Sequence, residues 1–159
     1  MLDTYVFDIT LLKNVIFIIV SIVIIFIDIK RHIIPDVLSI PLIFIGIGFS
    51  FITPIPGWKS SVLGALVGFI IFYLIAWLYT RVTKQIGLGG GDVKYLSGIG
   101  AFLGIQGVGF VMFFSSVLAL VTFTILLLFK NKRHVKILPY APFLAVAAFG
   151  YLVLYNNST

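Results

Sequence analysis

What most constrains this chain is a succession of apolar runs, most of them about as long as a bilayer's hydrocarbon core is thick. A spanning helix needs about 20 mostly apolar residues, with about 17 as a working minimum. On that rule six candidates emerge, at residues 9–27, 37–53, 60–79, 92–103, 108–129 and 139–155. The composition agrees: of 159 residues 61% are hydrophobic and 10% charged, and the mean hydropathy is +1.22. A water-soluble core in so short a chain has no room for that much apolar surface, whereas lipid accepts it. The expected fold class is therefore an all-α polytopic membrane protein of about six transmembrane helices, a single domain over residues 1–159 with the lipid bilayer as its surroundings.

Charge orders the connections. Lys30 and Arg31 follow the first span, Arg81, Lys84 and Lys94 surround the third connection, and Lys130, Lys132, Arg133 and Lys136 fill the fifth. The intervening connections carry only Lys59, so nine of the eleven basic residues fall on one side. By the positive-inside rule that side is cytoplasmic, and both termini lie outside. Topology thus accounts for the net charge of +6, and no basic face or stripe points to nucleic acid. The first eight residues hold two aspartates and no Lys or Arg, so the first apolar run is expected to stay rather than to be removed as a signal peptide. Lys13 is expected to snorkel from the start of that run.

The fourth candidate, 92–103, is too short to cross lipid unaided at about 1.5 Å per residue. It is expected to be shielded by neighbouring helices or to start as a loop dipping into the membrane. It opens with a carboxylate, Asp92, behind Gly89, Gly90 and Gly91. All five acidic residues are aspartates, and the proposed topology puts Asp28, at the end of the first span, at the same depth as Asp92. Carboxylates at a membrane edge face a bundle interior or a water pocket. Two that share a site hold one proton between them near neutral pH, giving an acid and a base together. That is the chemistry of aspartic peptide hydrolysis.

The glycines fit this reading, because a backbone without Cβ lets an extended substrate strand lie close to Asp92. A plainer reading stays open: Asp92 as N-cap or first-turn anion of a helix behind a flexible turn, and Asp28 as an interfacial residue paired with Lys30 or Arg31. Asp36 follows Pro35 where the second span starts, which is itself a helix-start signal. Lys94, two residues beyond Asp92, is placed to tune its electrostatics. His32 and His134, with no cysteine in the chain, make a metal site an unpromising reading, and nothing calls for a cofactor.

Three stretches together resemble the type IV prepilin peptidases of the GxGD class of intramembrane aspartic proteases: DIKRHIIPDVLSIPL from Asp28, GLGGGDVKYLSGIGAFLG around Asp92, and KILPYAPFLAVAAF from Lys136. They occur in the family's order, with Gly89, Gly91 and Asp92 on the signature and Gly90 in its variable position. The resemblance implies that Asp28 and Asp92 are the catalytic pair and Asp36 an accessory. Gly89, Gly90, Gly91, Asp36 and Lys94 are then the candidate substrate-binding positions. The implied partner is a prepilin or pseudopilin precursor, cleaved at the cytoplasmic face of the inner membrane after a glycine that ends a short basic leader. Many bacterial members also carry a paired-cysteine insertion and N-methylate the product; lacking cysteine, this chain resembles the short, peptidase-only form. An archaeal-type preflagellin peptidase, a small proton-coupled transporter using the two aspartates as a relay, and a structural partner of a secretion machine are the competing readings. Oligomeric state is not legible in the sequence.

Overall fold

Backbone surrounded by lipid must satisfy its own N–H and C=O groups, and this chain does so with helices. The computed structural model describes residues 2–84, 89–129 and 139–156, the side chains of residues 2–4, 129, 155 and 156 excepted. Its elements are α1 (Leu2–Arg31), α2 (Asp36–Ser50), α3 (Trp58–Thr83), α4 (Gly90–Phe129) and α5 (Ala141–Asn156). Three helical stretches, Tyr5–Arg31, Trp58–Thr83 and Gly90–Leu128, are long and apolar enough to cross a membrane, and α2 and α5 are shorter apolar helices. Large apolar side chains such as Ile22, Phe26, Leu74 and Leu78 point outward, as lipid-facing residues do. The chain is an all-α integral membrane protein. Lys130, Lys132, Arg133, His134, Lys136 and the tail 157–159 lie outside the described residues.

Helix ends follow local chemistry more than apolarity. α1 extends past the expected 9–27 at both ends and stops where His32 turns left-handed, φ 52°. Pro35 follows, and proline soon after such a residue keeps the helix from continuing. The largest departure from expectation concerns the connection placed at 104–107. There α4 runs on with a single non-helical residue, Gly104, at φ 74° and ψ −176°, a conformation that glycine adopts without strain. The Ile105 N–H beside the break is caught by Ser60 Oγ at 3.2 Å.

The break divides α4 into two limbs, and the first, residues 90–103, threads the middle of the bundle. Tyr95, Leu96, Ile99, Phe102 and Leu103 share one buried cluster with Phe17 and Ile24 of α1, Leu42 of α2, Phe72 of α3 and Leu144 of α5. Its shortness is therefore no burden, since its neighbours are other helices. Against α3 it packs through small residues, as membrane helices do where lipid gives no hydrophobic drive to associate. Gly64 and Gly100 bring the two backbones into contact, and a Cβ on either would strike the other helix. Ser61 Oγ donates to Ala101 O at 2.6 Å and Ser97 Oγ to Ala65 O at 2.9 Å, one bond in each direction.

α1 buries one stripe, Lys13, Phe17, Ser21, Ile24 and Asp28. These positions recur every three or four residues and so share a face. The stripe has an amine near one end and a carboxylate near the other.

Candidate active site

Asp28 sits in the last turns of α1, 5% exposed. Its carboxylate turns away from Lys30 and Arg31 towards α5, where Oδ2 accepts the Ala141 N–H at 3.1 Å. Lys30 instead lies over the Phe26 ring, 4.1 Å from its centroid. The bond to Ala141 follows from how α5 begins. Tyr140 O accepts from Phe143 N at 3.1 Å and Leu144 N at 3.3 Å, and Pro142 has no N–H to satisfy. Ala141 is left as the buried orphan donor of the first turn, and Asp28 supplies its acceptor. The positive end of the α5 dipole complements the carboxylate.

Asp92 stands in the first turn of α4, its N–H donating to Gly89 O at 3.1 Å. One carboxylate oxygen, Oδ1, is buried with no hydrogen-bond partner among the described residues. Asp28 and Asp92 are near enough for their charges to repel, although they come from helices distant in the chain. The glycines ahead of Asp92 are not equivalent. A Cβ at Gly91 would come within 2.7 Å of the Ile34 Cβ, whereas one at Gly90 would meet nothing within 4 Å. A Cβ at Gly89 would lie 3.2 Å from Asp92 Oδ2. Gly91 is thus explained by packing: it lets the start of α4 close on the Ile34-Pro35 segment that leads into α2. Gly90 and Gly91 are helical.

Lys94 forms an ion pair with Asp36, Nζ to Oδ2, at 2.6 Å. The pair ties the first turn of α2 to the first limb of α4. Asp36 makes no capping bond at the start of α2, where Pro35 holds the cap position. Among the described residues no group of three His, Cys, Asp or Glu could hold a metal ion.

Residues 15–124, which include Asp28, Asp36, Gly91, Asp92 and Lys94, match the model of the type IV leader peptidase family. The chain belongs to that family. It is 32% identical over 124 residues to a prepilin leader peptidase/N-methyltransferase of Aeromonas hydrophila, covering 78% of this chain and 43% of that protein. Proteins of the same name from Xanthomonas campestris pv. campestris (32% over 129 residues) and Neisseria gonorrhoeae (30% over 134 residues) cover 81% and 84% of this chain. They are matched over 44% and 45% of their own length, so the chain spans less than half of these relatives. No solved structure matches it.

Within this type IV leader peptidase fold, two further buried polar residues lie on the same helices as the aspartates. Ser21 lies two turns before Asp28 on the same face of α1, and Tyr95 one turn after Asp92 on α4; both are fully buried. Their hydroxyls lie near each other across the α1–α4 contact, yet among the described residues neither has a hydrogen-bond partner of ordinary length. Tyr140 also belongs to the site's frame: it packs on Phe72 at 6.0 Å between ring centroids and meets Ser115 Oγ at 3.2 Å. The spacings of Ser21 to Asp28 and Asp92 to Tyr95 are visible in the sequence. The Ala141 N–H is not, because a backbone donor carries no residue signature beyond the Pro142 that marks a helix start.

Proposed function

We propose that this chain is a membrane aspartic endopeptidase that removes the short basic leader of a type IV prepilin or pseudopilin precursor, with Asp28 and Asp92 as its catalytic pair. The observation that carries the reading is the pairing itself. Two carboxylates from separate helices lie near enough at one end of the bundle for their charges to repel, and Asp92 keeps a buried oxygen with no hydrogen-bond partner among the described residues. A fold that needed Asp92 only as a helix-start anion would have no use for that oxygen.

The chemistry follows from the pair. The ionised carboxylate takes a proton from water as its oxygen attacks the scissile carbonyl, while the protonated partner donates to the carbonyl oxygen. Collapse of the tetrahedral intermediate breaks the C–N bond, and the proton passes to the departing amine. Asp28 is held in register by α5, which suits a pair whose members must keep a fixed separation. Gly89 and Gly90 leave the approach to Asp92 narrow in side chains, and Asp36 and Lys94 form its polar border on the α2 side.

In this reading the break at Gly104 marks the turn between a fourth and a fifth crossing. The six spans then leave both termini outside and the aspartates at the cytoplasmic face of the inner membrane, in keeping with the basic residues on that side. The test is cleavage of a prepilin in membranes carrying the wild type, Asp28→Asn or Asp92→Asn, with insertion of each variant verified. Loss of processing in both variants, with normal insertion, is the expected result. Processing at near wild-type rate by either one overturns the pair.

A further inference from the structure

The end of the bundle away from the aspartates holds a second polar site. Lys13 lies 15 residues before Asp28 on the same stripe, about 22 Å along α1 at 1.5 Å per residue. Contrary to the snorkelling expected from the sequence, its side chain turns inward and is 4% exposed. Nζ donates to Ile55 O, in the α2–α3 connection, at 2.9 Å. An ammonium has three N–H donors, so this carbonyl satisfies one of them. No carboxylate answers the others: among the described residues the one ion pair joins Lys94 to Asp36.

Lys13 borders a cavity of about 1060 Å³ lined by α1, the α2–α3 connection, the start of α3, α4 and α5. The other polar groups on its wall are Thr10, Asn14, Ser60, Gln106 and Tyr151, and among the described residues no acidic side chain lines it. The Asn and Gln amides add N–H donors to those of the ammonium. A donor-rich wall around a buried cation is suited to an anion that accepts several hydrogen bonds at once, as phosphate does. The rest of the wall is apolar and includes Phe7, which is 60% exposed on the outer surface of α1. The cavity therefore joins a cationic floor to lipid-facing surface.

Its depth is that of lipid headgroups. Trp58, next to the connection that supplies Ile55, stacks on Phe51 at 6.1 Å and carries Lys59 over its ring at 5.6 Å, the kind of anchor that marks a membrane interface. We infer that this cavity binds an anionic phosphate group at Lys13, with the phosphodiester of an acidic glycerophospholipid as the ligand its mixed wall fits best. Its acyl chains would leave past Phe7 into the bilayer.

Native mass spectrometry of the full chain, purified in detergent and titrated with phosphatidylglycerol or phosphatidylcholine, tests this. The wild type is expected to retain one phosphatidylglycerol in preference to phosphatidylcholine. Lys13→Met is expected to weaken that retention about tenfold or more, the scale of one charge-assisted hydrogen bond. Because Lys13→Met also removes the bond to Ile55, Asn14→Leu, which leaves Lys13 in place, serves as a second variant and should weaken retention in the same sense. Excess inorganic phosphate separates the sources. Unchanged retention assigns the site to lipid, and displacement of the lipid supports the anion site with free phosphate as an equal occupant. A wild type that holds the two lipids equally and is indifferent to phosphate overturns the proposal. So does equal retention by the wild type and both folded variants.

Discussion

Asp28 and Asp92 share one end of the bundle, yet their surroundings differ in kind. Asp28 is engaged: one oxygen receives the N–H that opens α5, so its carboxylate joins the last helix to the first. Asp92 is held through its backbone N–H, while Oδ1 lies buried without a partner among the described residues. A buried polar atom with no hydrogen bond costs the folded chain. The two carboxylates therefore make opposite contributions to stability, and substitution can separate the part each plays in folding from the part each plays in chemistry.

The largest effects should be on cleavage. Asp92→Asn is expected to lower prepilin processing by about 10²–10⁴-fold, the usual worth of a general acid or base, while stability in detergent is held or raised. Asp28→Asn should lose activity to the same degree but keep an oxygen for the Ala141 N–H. Asp28→Ala removes that oxygen as well and leaves a fully buried donor. It should be less stable than Asp28→Asn by about 1–2 kcal/mol, as for loss of a helix cap. Thermal unfolding of the four proteins in one detergent checks this. Equal stability of the alanine and asparagine variants at position 28 would show that the α5 bond contributes nothing.

A similar contrast separates the glycines. Gly91→Ala forces a methyl against Ile34 and should cost about 1–3 kcal/mol, as overpacking does. Gly90→Ala meets open space and should be neutral or stabilising by up to about 1 kcal/mol through helix propensity. If Gly90→Ala folds normally but slows cleavage of the prepilin, the bare backbone there serves the substrate. Unchanged cleavage would leave Gly90 without a role in binding.

Much of this arrangement was legible in the chain. Apolar run length points to the membrane class, and the GxGD and Ile-Pro-Asp motifs single out Asp28 and Asp92, which the helices bring near each other. The misreadings share a cause, which is that run length reports lipid exposure and not what a side chain meets inside. Lys13 looked like a snorkelling residue because its neighbours are apolar, and only the packing of the α2–α3 connection gives it an inward acceptor. The connection expected at 104–107 shrank to Gly104, because one glycine at positive φ can break a helix while Ser60 accepts the exposed N–H. Lys94 is two residues from Asp92 in sequence, but residues i and i+2 do not face each other on a helix, and its charge goes to Asp36.

That last pair gives the smallest effect and the sharpest check on what surrounds Asp92. The side chains of Lys94 and Asp36 are 33% and 56% exposed, so the ion pair should contribute no more than about 1 kcal/mol. Lys94→Met is expected to lower thermal stability by that amount or less, and Asp36→Asn by a similar amount. Because they break the same contact, the double variant should be no less stable than the worse single variant, the signature of coupled residues. Cleavage distinguishes a strut from a binding surface. If the pair only fixes the start of α2 against α4, both single variants should shift kcat and KM together and to the same extent. If Asp36 also meets the basic leader of the substrate, Asp36→Asn should raise KM beyond what Lys94→Met does, and raising the salt concentration should erase that difference.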